Sequence, residues 1–293
     1  MLPKDENLNI VNDATVVNCT GSLIYGTKGR KLTVINAKDT IIVDTIDSVL
    51  VSHRSSTDEI KKTLEKGYRK PLVTIIIPIL NDEKYLEESL CSLFEQSYKN
   101  IECVIVDGGS TDKTMGVVDK YRYKIEQIIT ITTNNPYERI NVGIEHANGQ
   151  IIGVLDTYNL YPDKDVVATI VQHMEEKNSD LAWGDLIYSN SRSSSRISMY
   201  WKSSAYIKGV LKNGWTPPFP TLFVRKKIYE KYGNYNTKLR VAADYDLMLR
   251  LMRRHTLRTT YIPRILVKMV GKGLSWKSIS DRFVGNVEWY LAW

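Results

Sequence analysis

Apolar positions change their spacing near residue 70. Before it, VVNCTGSLIYG, KLTVINA and TIIVDTIDSVLVSH are short β-branched runs separated by Gly, Asn and Asp, as in stacked strands, and DEIKKTLEKG predicts a short helix closed by Gly67. Residues 1–66 thus predict a small all-β module with a helical exit. GYRKP, Gly67 to Pro71, reads as a linker.

After Pro71 strands alternate with helices. VTIII (Val73 to Ile77), IECVIV (Ile101 to Val106), IIGVL (Ile151 to Leu155) and DLAW (Asp180 to Trp183) are continuous apolar runs, the mark of strands buried on both faces of a mostly parallel sheet. Between them, KYLEESLCSLFEQ sets Leu86, Leu90, Leu93 and Phe94 on one helical face, and DVVATIVQHMEE sets Val166, Ile170 and Met174 on another. The pattern predicts an α/β fold, in which ligands bind outside the carboxyl ends of the strands. RVAADYDLMLRLMRR, Arg240 to Arg254, predicts a later helix, and Trp276, Ile279, Phe283, Val287 and Tyr290 form one apolar face of a C-terminal helix over 276–293. That face suits core packing or a membrane or partner surface, and its abrupt stop at Trp293 suggests a chain cut short of its natural end.

Charge sharpens this picture. The 293 residues carry a net +7, but from Asn190 to Lys277 there are 19 Lys and Arg against 3 acidic residues, a local excess of +16. An anionic partner is implied: a phosphate-bearing substrate, an acidic membrane or nucleic acid, unless the face is merely solvated. No nucleic-acid motif accompanies the charge, so nucleic acid is not expected. No apolar run reaches the roughly 20 residues of a membrane span, and MLPKDENLNI lacks an apolar signal core, so a cytoplasmic protein is expected. Cys19, Cys91 and Cys103 have neither metal nor redox spacing and are expected as free thiols.

The strand ends hold the candidate chemistry. The first strand runs into PILNDE and the second into DGGSTDKT, where paired glycines admit close backbone approach and Ser110, Thr111 or Asp112 can cap a helix. Asp107 could accept hydrogen bonds from a base or ribose, or, with Asp112, merely shape the turn. The sequence is not GxGxxG, so a dinucleotide fold is not indicated. The third strand runs into LDTYNLY. Asp156 offers a carboxylate and Asn159 an amide oxygen to a divalent ion, but an extended chain would hold them about 10 Å apart at roughly 3.3 Å per residue, so only a bend lets both reach one ion. Asp244 and Asp246 fall in the first turn of their helix, where the dipole favours acids; one of them is alternatively a general base.

VTIIIPILNDEKYLEESLCSLFEQSYKNIECVIVDGGSTDKT, YERINVGIEHANGQIIGVLDTYNLY, WGDLIY and PPFPTLFVRKKIYEKYGNYNTKLRVAADYDLMLRL, in this order from Pro71 to about Gly273, together resemble the family 2 glycosyltransferases of the GT-A fold. The resemblance implies a GT-A domain over 71–275. It implies that Pro78, Asn81, Asp107, Ser110 and Asp112 hold the nucleotide of a sugar donor, with Asp107 on the base. Arg139 and Asn141 would border its phosphates or ribose, and Asp156 its diphosphate. Asp244 would be the general base of an inverting transfer, leaving Asp246 a structural helix-start acid. Relatives commonly read LNSDDxY where this chain has LDTYNLY, so Asn159 occupies a metal-ligand position and Tyr158 replaces an acid; Glu138 stands for Asp and Phe219 for His. The N-terminal segment resembles the C-terminal β-helical part of mannose-1-phosphate guanylyltransferases, without their Gly-rich catalytic region, which implies an accessory module able to self-associate through strand edges.

The expected function is a nucleotide-sugar-dependent inverting glycosyltransferase, acting on a glycan, polysaccharide or lipid-linked acceptor. Its expected partners are a UDP- or GDP-linked sugar, a Mn or Mg ion if Asp156 and Asn159 still hold one, a membrane surface, and a second copy through the N-terminal module. The competing reading is a donor-binding or scaffold protein that keeps the fold and has lost the reaction, because Asn159 replaces a metal-ligand Asp. A guanylyltransferase activity would rest on the first 66 residues alone.

Overall fold

From Thr15 onward, strands in the first part of the chain stack at an 18-residue interval: Thr15 pairs with Thr33, Thr20 with Lys38 and Leu23 with Ile41, each parallel, while the first step, Ile10 on Leu23, is 13 residues. The computed structural model describes residues 3–45, 48–60, 70–189, 197–213, 215–239, 241–253 and 256–270. The chain divides after Lys70 into two compact units. All but the start of the helix predicted at 58–67, and the whole helix predicted at 276–293, lie outside the described residues.

The first unit contains β1 (Ile10–Asn12), β2 (Thr15–Val17), β3 (Leu23–Tyr25), β4 (Thr33–Ile35), β5 (Thr40–Asp44) and β6 (Val49–His53). Parallel β1, β3 and β5 form one wall, closed by antiparallel β6, and β2 and β4 form a second. Corners fall on residues that tolerate a left-handed backbone: Asn18 and Asn36 recur 18 apart at φ 53° and 58°, and Gly21 and Asp39 at φ 61° and 49°. Cys19, Ile24, Val34 and Ile42 fill the interior. This is a β-helix-like stack, in which each coil repeats the inward positions of the one before.

The second unit contains β7 (Val73–Ile79), β8 (Ile101–Asp107), β9 (Gln127–Thr130), β10 (Ile151–Val154), β11 (Asn159–Leu160), β12 (Leu181–Ser189), β13 (Ile197–Trp201), β14 (Phe223–Arg225) and β15 (Thr259–Val270). Its helices are α1 (Leu86–Phe94), α2 (Thr114–Lys120), α3 (Pro136–His146), α4 (Val166–Glu176), α5 (Lys226–Tyr232) and α6 (Ala243–Met248). The sheet order is β11-β15-β12-β14-β10-β7-β8-β9, with β13 antiparallel on β12. The neighbours β10, β7, β8 and β9 run parallel, so their carboxyl ends meet at one edge.

Every residue of β7 is buried, as the unbroken apolar run requires. Ile75, Ile77 and Ile79 pack with Leu86 and Leu90 of α1 and with the Val166, Ile170 and Met174 face of α4, whereas Ile76 packs with Ile140 and Ile144 of α3. A Cβ on Gly143 would lie 2.4 Å from Ile76, so glycine there lets α3 rest directly on β7. That seating aims the first turn of α3 at the strand ends.

Glu102 is the polar bolt of this layer. Buried to 4% exposure, its carboxylate accepts from the Thr74 hydroxyl, from the Asn148 amide N–H (2.8 Å) and Nδ2 (2.6 Å), and from Gln127 Nε2 (3.1 Å). Burial raises its pKa, but these four donors outweigh burial and hold it below the usual value. Its stabilisation is therefore complete above the unfolded carboxyl pKa, about 4.3, and is lost as pH falls through the lower folded value. Glu102→Gln puts an NH2 against these donors and is expected to cost about 2–3 kcal/mol at pH 7. Urea midpoints across pH should show the gap narrowing below about pH 4.

Candidate functional site

The edge where β7, β8 and β10 end carries a small cleft lined by Pro78, Leu80, Asp82, Asn134, Pro136, Arg139, Asp156 and Thr157. Three of the expected donor-binding residues, Pro78, Arg139 and Asp156, meet in this wall. The carboxyl end of β8 supplies Asp107, 2% exposed, whose oxygens accept from the Ser110 amide (3.0 and 3.2 Å) and hydroxyl (2.6 Å). Ser110 thus holds Asp107 in place.

Asn81 and Asp112 shape the same loop. Asn81 takes a left-handed φ of 56°, and its Oδ1 accepts from the amides of Thr111 (2.8 Å) and Asp112 (3.3 Å). Asp112 accepts from the Thr114 amide and hydroxyl (2.9 and 2.5 Å) and the Glu83 amide (3.3 Å). Burial opposes these bonds, but they prevail and hold its pKa below the usual value. Both side chains are committed to tying the β7 loop to the β8 loop.

Arg139 is the centre of the floor. It projects from α3, whose start is set by Pro136 and by Asn135 capping the Tyr137 amide at 2.9 Å. The guanidinium is 4% exposed; Nη1 donates to Thr133 O at 3.0 Å, and Nε finds no partner. Burial pushes its pKa down, and Asp82, Asp156, Asp107 and Glu138 oppose that push. A Cβ on Gly108 would lie 3.0 Å from Nη1 and 2.6 Å from Thr133 O, so the Gly-Gly turn makes room for this cation. Asp82, which sequence reasoning passed over, belongs to this cluster. The signal available was an acid three residues beyond a buried strand.

The segment after β10 does bend: Asn159 N donates to Asp156 O at 2.8 Å, closing a tight turn. Ser89 of α1 fixes it by donating to Thr157 O (2.8 Å) and Asn159 O (2.9 Å). The bend does not bring both side chains to one ion. Asn159 is 3% exposed and its Oδ1 is buried without a partner, while Asp156 already accepts from the Tyr158 amide (3.2 Å) and the Thr157 hydroxyl (3.3 Å). Tyr158 lies against Tyr85, ring centroids 4.6 Å apart. A hard divalent ion wants about six oxygens, with carboxylates to neutralise it. One engaged carboxylate and one sunken amide do not fit that demand. Among the described residues there is no cluster of three or more His, Cys, Asp or Glu able to hold a metal. Asn159→Asp is accordingly expected to leave Mn²⁺ affinity unchanged by calorimetry and to lower stability by about 2–3 kcal/mol, because it places an unpartnered carboxyl in the interior.

Asp244 and Asp246 both stand in the first turn of α6, with separate duties. Asp246 pairs with Arg250 at 2.9 Å, and Arg250 also donates to Tyr232 O (2.7 Å) and Asn234 O (2.6 Å). Asp244 Oδ1 accepts from the Tyr245 amide at 2.7 Å. The strap leading to it, described at residues 233–239 and 241, is fastened to α3. Asn135 Nδ2 donates to Thr237 O (3.0 Å), the Tyr137 hydroxyl to Val241 O (3.0 Å), and Asn141 bonds both backbone groups of Tyr235 (2.9 and 3.0 Å). Asn141 is therefore spent on the strap. Burial raises the pKa of Tyr235 to about 12, with Asp244 adding to the rise. Helix α3 thereby carries Arg139 and anchors the approach to Asp244.

Elsewhere, buried Asp185 accepts from the Tyr200 and Tyr261 hydroxyls (2.5 and 2.8 Å) and the Ser203 amide (2.8 Å), and Phe219 packs on the cluster around Trp183. Cys19, Cys91 and Cys103 are free. No helix among the described residues is long and apolar enough to cross a membrane.

A sheet whose central strands run parallel, with acids and a buried arginine at their carboxyl edge, is an α/β architecture of the GT-A type. Residues 74–255 match the family model described as glycosyl transferase family 2, and the chain belongs to that family. It is an enzyme of the glycosyltransferase class. It is 28% identical over 196 residues to a PGL/p-HBAD biosynthesis glycosyltransferase of Mycobacterium bovis, covering 66% of this chain and 74% of the relative. It is also 29% identical over 117 residues to the glycosyltransferase GlyG of Streptococcus pneumoniae, covering 39% and 38%. Among solved structures, S. aureus TarS 1-349 in complex with UDP-GlcNAc matches with a TM-score of 0.59 at 23% identity, over 69% of this chain and 59% of that 1-349 chain. The mannosyltransferase PcManGT of Pyrobaculum calidifontis, solved with GDP-Man and Mn2+, matches with a TM-score of 0.54 at 20% identity, over 74% and 61%. The chain thus spans about three fifths of the length of these solved structures.

Proposed function

We propose that the protein transfers a sugar, with inversion, from a UDP- or GDP-linked donor to a hydroxyl of a glycan, polysaccharide or lipid-linked acceptor. The observation that carries this reading is the cleft floor: a buried arginine with an unspent Nε among Asp82, Asp107 and Asp156 at converging strand ends. An anionic diphosphate would complete that donor and balance the charge. Asp107, steadied by Ser110, takes the base. Pro78 and Asp156 line the path of the diphosphate, and Asn81, Asp112 and Asn141 act by holding the loops around it. Asp244 accepts the proton of the attacking hydroxyl, and the acceptor oxygen displaces the nucleoside diphosphate in one step. The relatives named above that were solved with UDP-GlcNAc or GDP-Man support a nucleotide sugar as donor. No step is assigned to a metal ion.

Nucleoside diphosphate release from a panel of UDP- and GDP-sugars, measured with and without Mn²⁺ or Mg²⁺, tests the proposal. Release from at least one donor is expected. The observation that Tyr158 and Asn159 leave Asp156 as the lone carboxylate of its turn favours a second reading, a donor-binding scaffold without turnover. Nucleotide binding with no release from any donor would establish that second reading and reject the first. The N-terminal module, given its likeness to guanylyltransferase β-helices, serves as an accessory to this site, and a cytoplasmic location at a membrane surface agrees with a lipid-linked acceptor.

A further inference from the structure

The second unit exposes five large apolar side chains among its described residues, and four of them, Ile197, Met199, Tyr200 and Ile207, fall within eleven positions. The fifth is Tyr123. Ile197, Met199 and Tyr200 belong to β13, which among the described residues pairs only with β12 and is exposed along all but its last residue, Trp201. Neighbouring side chains of a strand point to opposite faces, so the run from Ile197 to Tyr200 presents exposed side chains on both faces of this arm. Inward contacts come from the Tyr200 hydroxyl, to Asp185, and from Trp201, which packs on the core at the strand's end.

Charge identifies what the arm meets. From Leu186 to Tyr229 the sequence holds eight Lys and Arg and no Asp or Glu. Within the described surface, exposed Lys202 and Lys208 flank Ile207. Exposed apolar side chains set among cations in a stretch of chain without acids match the boundary of an anionic bilayer, where apolar groups enter the acyl edge and lysines meet headgroups. A nucleic acid would use the lysines and leave Ile197, Met199 and Ile207 in water. The geometry points to the β13 arm and the 202–208 loop as a docking surface for membranes rich in anionic lipid. This goes beyond the transfer reaction and does not depend on it.

Co-sedimentation of the full chain with phosphatidylcholine vesicles, and with the same vesicles enriched in phosphatidylglycerol, tests the surface. Binding is expected only to the enriched vesicles and should weaken at high salt. Met199→Glu with Ile207→Glu, and separately Lys202→Glu with Lys208→Glu, should each weaken it about tenfold or more, with nucleotide affinity unchanged. No binding to anionic vesicles overturns the proposal. So does binding that survives both pairs of substitutions, which would place the contact elsewhere in the chain. If the apolar pair instead dissociates a dimer in sedimentation equilibrium and leaves vesicle binding intact, the arm is an interface between copies and the proposal fails. Preferential capture of a nucleic acid that the lysine pair abolishes, without vesicle binding, also overturns it.

Discussion

Asp244→Asn is expected to lower kcat for sugar transfer by about 10²–10⁴-fold while leaving nucleotide affinity within about twofold. The asparagine keeps the size of the side chain and its bond from the Tyr245 amide, so α6 and the strap before it should stay in place. What disappears is the capacity to take a proton from the attacking hydroxyl. Single-turnover transfer and nucleotide titration of the same sample give the two quantities separately. Equal loss in both would mean that Asp244 acts by holding the donor site, and unchanged transfer would remove it from the mechanism. Asp246→Asn is the natural control, because it loosens the Arg250 tie to Tyr232 and Asn234 and should lower stability more than the chemical step.

Arg139→Met should have the largest effect on the molecule as a whole. It removes a buried cation and leaves Asp82, Asp107, Asp156 and Glu138 without the charge that offsets them. Breaking a buried ionic cluster by deleting one partner costs about 3–5 kcal/mol. Urea unfolding at neutral pH measures the loss. Nucleotide diphosphate affinity should drop at least about tenfold at neutral pH even where the variant is folded, since the unspent Nε is lost. A variant with wild-type stability and affinity would show that Arg139 is neither counter-ion nor ligand.

Much of this was legible in the sequence because burial on both faces leaves a plain trace. Val73 to Ile77 and Ile101 to Val106 could hardly be anything but central strands, and strand ends then named Asp107 and Asp156. Asp246 read as a structural helix-start acid, in keeping with its bond to Arg250. What escaped was decided by contacts distant in sequence. The bend from Asp156 to Asn159 rests on one backbone bond and on Ser89, nearly seventy residues earlier, which no periodicity records. Asn141 and Asn81 carry amides suited to a ligand, yet they satisfy backbone groups of Tyr235 and Thr111 that only the folded chain presents. Asp82 looked like an ordinary loop acid because Arg139, which gives it meaning, lies on a helix more than fifty residues further along.

The stacked strands of the first unit impose a rule on length. Thr15, Thr20 and Leu23 each find their neighbour 18 residues ahead, whereas Ile10 finds Leu23 only 13 ahead, so pairing is kept while the corners absorb a difference of five residues. A residue inserted within a strand, by contrast, would turn that strand's inward positions out. Relatives of such a module should therefore differ in length at the corners and agree along the strands.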